Sequence, residues 1–175
     1  MKAKTNDLRK PITLALLTAL VVVLQCIPIK LGPFELALSV PVMIIGAAIC
    51  GIGAGAWLGL VFSIVVLFLP GTAVYLSFSI LGTVVTVIAK GVLAGFVAGV
   101  VYKSLHKKSN LLAAGVSAVA ATFTNTGIFL LGSLIFFEWD IATVIGVFIS
   151  INFIVEMIVN VVLVPTVVRI ISLKR

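Results

Sequence analysis

Polar residues at helical spacing interrupt otherwise apolar stretches of this sequence. Thr86 and Lys90 are four residues apart, Asn152 and Glu156 are also four apart, and a third stretch contains Asn125. A spacing of four places both members of a pair on one face of an α-helix. An ammonium group, a carboxylate and two carboxamides can bind a small polar ligand, pair with one another, or relay protons.

The depth of these groups predicts where they would act. Polar side chains are costly in hydrocarbon and usually face the interior of a helix bundle or a wet cavity. At about 1.5 Å of rise per residue, Lys90 lies roughly 15 Å below the outer end of its helix and Asn125 roughly 18 Å. By the same rise, Asn152 lies roughly 14 Å deep and Glu156 roughly 20 Å. The shared level predicts one polar pocket, although the asparagines could instead form hydrogen bonds between helices.

Aromatic residues lie above that level in the predicted loops. Tyr75 and Trp139 would cover a pocket that opens to the outside, or they could be ordinary residues of the interfacial aromatic belt. Lys90 and Glu156 likewise have a structural alternative, since the two charges could simply neutralise each other. The sequence leaves both interpretations open.

Composition shows what kind of element must hold these groups. The chain of 175 residues is 62% hydrophobic and 10% charged, with a mean hydropathy of +1.39. Soluble domains carry about 25% charged residues, which argues against a soluble enzyme. No charged residue occurs between Leu36 and Ala89, and a membrane helix needs about 20 apolar residues. We therefore expect a polytopic membrane protein, with residues 1–175 forming a single domain.

The apolar runs and their breaks predict an all-α bundle of six transmembrane helices. Pro11 fits the first turn of the first span, and Pro41 predicts a kink or a late start in the second. Glycine- and proline-containing turns separate the spans. The predicted spans are Pro11 to about Ile27, about Glu35 to Cys50, a third to about Leu69, about Ile80 to Tyr102, Leu111 to about Phe137, and about Thr143 to Ile171.

Charge bias predicts the orientation of the bundle. Basic residues concentrate at the two chain ends and in the loop 103–108, whereas the opposite side has Lys30 alongside Glu35, Glu138 and Asp140. Positive residues stay on the cytoplasmic side, so both termini are expected there. The net charge of +7 is explained by this bias and needs no nucleic-acid partner.

Small residues and missing motifs narrow the function further. Gly51, Gly55 and Gly59 recur every four residues, as does a second stripe that starts at Gly91, and we expect both to pack helices within the molecule. The sequence has no phosphate-binding loop and no metal-binding cluster, and its one histidine, His106, is in the basic loop. We therefore predict a protein that is not an enzyme and that has no cofactor or metal.

Several segments resemble one family. They are Ala15-Leu16-Leu17-Thr18-Ala19, Lys90-Gly91-Val92-Leu93-Ala94-Gly95, Asn125-Thr126-Gly127-Ile128-Phe129 and Asn152-Phe153-Ile154-Val155-Glu156. Over nearly its whole length the chain resembles the S component of energy-coupling factor (ECF) vitamin transporters. The resemblance implies high-affinity capture of a vitamin outside the cell, followed by association with a transmembrane coupling subunit and two ATPases. It also implies that Ala15 and Ala19 contact the coupling subunit.

The sequence leaves alternatives open for the ligand and for the class of transporter. Lys90 could pair with a carboxylate, which makes pantothenate the first choice, ahead of pyridoxine-like or pyrimidine ligands. Riboflavin ranks lower, because few aromatic residues are available to enclose a flavin. A stand-alone proton-coupled carrier or channel, in which Lys90 and Glu156 relay protons, and an assembly subunit without a ligand are the other two classes.

Overall fold

Helices form almost all of the described chain. The computed structural model describes residues 2–27, 29–31, 34–36, 38–148 and 151–173, with side-chain burial described for 9–27, 38–146 and 153–169. The helices are α1 (Lys2–Cys26), α2 (Ser39–Cys50), α3 (Ile52–Leu67), α4 (Ala73–Phe78), α5 (Ile80–Leu105), α6 (Asn110–Phe136), α7 (Ile141–Phe148) and α8 (Ile151–Leu173). A short antiparallel hairpin, β1 (Ile29–Leu31) with β2 (Phe34–Leu36), precedes α2. The predicted all-α class is confirmed, apart from this hairpin.

Three of the described helices are long and apolar enough to cross a membrane: α1 from Arg9, α5 and α6. Helix α3 and the segment Pro70–Phe78 pass the same test together, but they are bent by 76° at the break between them. Helix α2 has 12 residues, and at 1.5 Å of rise per residue it is only about 18 Å long. Length and composition therefore support three or four crossings among the described residues, and six remains a prediction.

Several predicted boundaries differ from those in the structure. Pro11 lies inside α1 rather than at its start, because the polar residues from Lys2 onward already form helical turns. The late start at Pro41 is confirmed: α2 begins at Ser39, so the proline occupies the first turn, where its missing N–H costs little. The predicted sixth span, about Thr143 to Ile171, covers α7 and α8, and residues 149 and 150 between them lie outside the described part.

Helix α2 lies at the centre of the bundle. Its residues from Ser39 to Ala47 are all buried, since a helix that is apolar all round can be packed on every side. It contacts α1, α3, α5, α6 and α8. The short central helix therefore holds the longer ones around it.

A seam of small residues joins α3 to α5. A Cβ atom added to Gly59 would overlap the carbonyl group of Gly91, and one added to Gly95 would overlap that of Gly55. Beside them, the buried Ser63 hydroxyl lies 2.7 Å from the carbonyl oxygen of Val87 and 2.9 Å from that of Gly59. We call Gly55, Gly59, Ser63, Gly91 and Gly95 the α3–α5 seam. The predicted packing role of the stripes is confirmed for these glycines, whereas Gly51 forms the turn before α3 at φ 105°.

Candidate binding site: unpartnered polar atoms and aromatic rings

Three helices bury polar atoms that lack hydrogen-bond partners among the described residues. Thr86 of α5, Asn125 of α6 and Glu156 of α8 are 3%, 7% and 9% exposed. Thr86 Oγ1, Asn125 Oδ1 and Glu156 Oε1 have no hydrogen bond to any described residue. Leaving such a group unpaired costs about 1–3 kcal/mol. Hydrogen bonds from a polar ligand or from water to these three atoms would recover that cost.

Two phenylalanine rings hold the ammonium group of Lys90. Its Nζ lies 4.9 Å from the ring centre of Phe129 and 5.9 Å from that of Phe62. The charges of Lys90 and Glu156 interact through space, but no nitrogen–oxygen contact within 4.0 Å joins these two described side chains. The direct ion pair considered from the sequence is therefore not formed. Cation–π contacts with the two rings stabilise the ammonium instead.

Four aromatic rings pack together, and one of them, Phe129, contacts Lys90. Tyr75 lies 5.3 Å from both Phe129 and Phe137 between ring centres, and 6.1 Å from Trp139. Trp139 also meets Phe129 edge to face at 6.0 Å. We call these four residues the aromatic cap. Because Phe129 contacts both Lys90 and the cap, it connects the charged group to the rings.

Local chain turns bring Tyr75 and Trp139 together. A 3₁₀ turn at Pro70–Thr72 follows α3, and the Thr72 hydroxyl donates to the carbonyl of Val66 at 2.6 Å. The bend there directs α4, which carries Tyr75, toward the end of α6. At that end Glu138 adopts a left-handed φ of 55°, and the Trp139 N–H donates to the carbonyl of Ser133 at 3.4 Å.

Asp140 fixes the next helix. The Thr143 hydroxyl donates to its carboxylate, and the Thr143 N–H donates to Oδ1 at 3.3 Å, as in a helix N-cap. The hydroxyl bond, with smaller contributions from backbone N–H groups, holds the pKa of Asp140 below its usual range. The charged side chain of Asp140 at the start of α7 thus ends the turn that carries Trp139.

A second polar pair lies further along α6 and α8. Asn160 Nδ2 donates to Thr122 Oγ1 at 2.9 Å, and the Thr122 hydroxyl donates to the carbonyl of Ala118 at the same distance. Both side chains are fully buried. Asn160 keeps one unpartnered oxygen, Oδ1. This pair joins α6 to α8.

The residues predicted from the sequence are placed as follows. Lys90 is connected through Phe129 to Tyr75 and Trp139. Thr86 lies at the contact with α6, where a Cβ on Gly132 would overlap its hydroxyl. Asn152 is the second residue of α8, but its side chain lies outside the described residues, and its estimated depth was counted across residues 149–150.

Sequence reasoning missed the rings that hold Lys90. Phe129 follows Asn125 by four residues, so helical spacing could have placed it on the same face of α6. Phe62 carried no such signal, since it is one of 11 phenylalanines and belongs to a different helix. Only the packing of α3 against α5 brings Phe62 to the lysine.

Comparison with known sequences decides the family. The family described as "ECF transporter, substrate-specific component" matches residues 9–168. The chain belongs to this family. Its members are components of transporters rather than enzymes, and the apolar helices agree with a protein of the membrane.

One characterised relative matches over nearly its full length. The pantothenic acid transporter PanT of Lactococcus lactis subsp. cremoris (strain MG1363) is 29% identical over 198 aligned residues, which cover 99% of this chain and 97% of the relative. No solved structure matches the chain significantly. The resemblance deduced from short segments is therefore confirmed, and it extends to a relative of the expected pantothenate type.

Proposed function

We propose that this ECF substrate-specific component binds pantothenate. The observation that carries the proposal is the group of unpartnered buried oxygens on Thr86, Asn125 and Glu156, together with the ammonium of Lys90. Pantothenate has a carboxylate, an amide and two hydroxyl groups. Its carboxylate would pair with Lys90, and its hydroxyl and amide hydrogens would be donated to Asn125 and Glu156.

The aromatic cap supports the same ligand. Pantothenate has a geminal dimethyl group between its polar ends, and the apolar faces of the Tyr75, Phe129 and Trp139 rings suit such a group. Asn152 remains a further proposed contact on the basis of its sequence position. The similarity to PanT supports this choice over riboflavin, pyridoxine or a pyrimidine.

The direct test is identification of the ligand that the purified protein binds. Native mass spectrometry of the detergent-solubilised chain with an equimolar mixture of pantothenate, riboflavin and pyridoxine should give a pantothenate complex alone. Isothermal titration should then give a 1:1 complex without any ion gradient. A complex with another vitamin in place of pantothenate would refute the assignment.

Transport requires partners, and α1 offers a surface for one. Ala15 and Ala19 are exposed and point away from the inward-facing Leu14 and Leu17, and only 6% of the apolar window of α1 is buried. We propose that this face contacts the transmembrane coupling subunit, which joins the chain to two ATPases. Small residues four apart allow such close helix contact in lipid.

Large side chains introduced on that face of α1 test docking to the coupling subunit separately from vitamin binding. Ala15→Trp and Ala19→Trp should leave pantothenate affinity unchanged and abolish uptake in cells that contain the full transporter. Val116→Trp places the same side chain on the exposed face of α6 and should retain uptake. Normal uptake by both alanine variants would remove the docking surface from the proposal.

We also propose six crossings with both termini in the cytoplasm. Lys10, Lys103 and His106 meet at one end of the bundle, as the positive-inside rule requires for one cytoplasmic face. The variant Lys108→Cys, in a chain otherwise free of cysteine, should react with an impermeant maleimide only in inverted vesicles. Reaction in right-side-out cells would reverse the orientation.

A stand-alone proton-coupled carrier is the second candidate. It is favoured by the separation of Lys90 from Glu156, because charges that are coupled without contact can exchange protons through a ligand or water. Purified chain in liposomes with an imposed pH gradient distinguishes the two. Uptake of labelled pantothenate without ATPase subunits would identify a carrier. We expect no such uptake.

A further inference from the structure

Phe62 brings α3 to a binding site whose polar residues come from α5, α6 and α8. Its side chain is 2% exposed, and Lys90 Nζ lies over its ring at 5.9 Å from the ring centre. Cation–π attraction extends to about 6 Å. The ammonium group of Lys90 forms no hydrogen bond or ion pair with the described residues. Its position therefore depends on the rings of Phe62 and Phe129.

The α3–α5 seam fixes the ring of Phe62. The next residue is Ser63, whose hydroxyl lies 2.7 Å from the carbonyl oxygen of Val87, one turn before Lys90 in α5. Gly91 directly follows Lys90, and a Cβ atom there would lie 3.1 Å from Cδ1 of Phe62 and would overlap the Ser63 hydroxyl. The ring is thus packed against the α5 backbone beside the lysine, where it has little room to move.

A fixed ring in this place acts on the charge of Lys90. The negative face of an aromatic ring attracts a cation and gives no such attraction to a neutral group. A lysine side chain is flexible, and holding its ammonium group in place before binding lowers the entropy that is lost when it pairs with a carboxylate. Only a ligand with an anionic group at that point gains from this arrangement.

We propose that Phe62 is a positioning residue that makes the site selective for a carboxylate ligand over its neutral counterpart. The inference rests on the proposed function, in which Lys90 pairs with the carboxylate of pantothenate. It adds a residue of α3 to those that determine the affinity, and this residue acts through Lys90 rather than through contact with the vitamin.

The test compares variants of two buried residues one turn apart in α3. Phe62→Leu removes the ring and keeps an apolar side chain, and Phe62→Met is a second variant without the ring, whose flexible side chain adapts to the space. Leu58 is fully buried beside Gly46 of α2. Leu58→Val also reduces the packed volume of α3 but leaves the ring under Lys90, so it controls for the loss of packing.

Two ligands separate the effect of charge from that of shape. Isothermal titration of each variant uses pantothenate and pantothenyl alcohol, which has a primary alcohol in place of the carboxylate. Phe62→Leu and Phe62→Met should weaken pantothenate binding about fivefold and leave the affinity for the alcohol unchanged. Leu58→Val should change neither affinity. In a Lys90→Gln background, Phe62→Leu should weaken pantothenate binding no further, because the charge on which the ring acts is gone.

Equal losses for the two ligands in the Phe62 variants would mean that the ring only shapes the pocket, and they would overturn the proposal. Wild-type pantothenate affinity in these variants, or additive losses in the double variant, would overturn it as well. If Lys90→Gln alone still weakens pantothenate binding in these cases, the proposed function stands and only this inference fails. A wild-type chain that binds neither compound would refute both.

Discussion

The α3–α5 seam and the candidate binding site share α5 but differ in how their polar groups are satisfied. In the seam, the Ser63 hydroxyl lies within hydrogen-bond distance of two backbone carbonyls, and the glycines leave no room for an added Cβ. In the site, Asn125 and Glu156 are also buried, yet an oxygen of each lacks a partner. The seam completes its own contacts, whereas the candidate site leaves buried oxygens without a partner.

The largest expected effect tests the seam. Gly59→Ala places a methyl group against the carbonyl of Gly91 and should lower the free energy of unfolding by about 3 kcal/mol. Gly53→Ala, in the same helix with no atom within 4 Å of the new methyl, should instead stabilise by about 0.5–1 kcal/mol. Thermal unfolding in detergent measures both. Equal changes in the free energy of unfolding of the two variants would mean that the seam is not tightly packed.

The next effect tests the charge of the site. Lys90→Gln should weaken pantothenate binding by about a hundredfold, because it removes the charge-assisted hydrogen bond to the carboxylate. Lys103→Gln on the same helix, outside the site, should leave the affinity unchanged. Isothermal titration gives both values. Wild-type affinity in Lys90→Gln would exclude this lysine from ligand binding.

A smaller effect separates Asn125 of α6 from Asn160 of α8. Asn125→Ala should weaken pantothenate binding about tenfold and leave the melting temperature unchanged, because its oxygen has no partner in the protein. Asn160→Ala should preserve binding but lower stability by about 0.6–1.7 kcal/mol, since it removes the hydrogen bond to Thr122. If the two variants exchanged these effects, the assignment of binding and packing roles would be reversed.

The smallest effect concerns the aromatic cap. Tyr75→Leu removes ring contacts with Phe129 and Phe137, each worth about 0.5–1.5 kcal/mol, and should speed pantothenate dissociation several-fold. Tyr75→Phe preserves the ring and should dissociate at the wild-type rate. Stopped-flow displacement measures the rates. A Tyr75→Leu variant that releases pantothenate as slowly as the wild-type protein would show that the cap does not retain the ligand.

Particular residues show how far sequence patterns reach. Spacing by four placed Lys90 with Thr86 on one helical face. The alternation of apolar runs with turns located α5 and α6 to within a few residues, whereas α1 begins at Lys2, well before the predicted start at Pro11. Tyr75 was placed in a loop, since the six residues of α4 are too few to show a clear period.

The sequence by itself determined the membrane class, the family and the residue types available for binding, because these depend on composition and on local spacing. The tertiary structure decided that the ammonium group of Lys90 lies over the rings of Phe62 and Phe129. It also decided that the bend after α3 brings Tyr75 to Trp139. These contacts join residues far apart in the chain, and they depend on the rotation and tilt of whole helices, which local spacing does not fix.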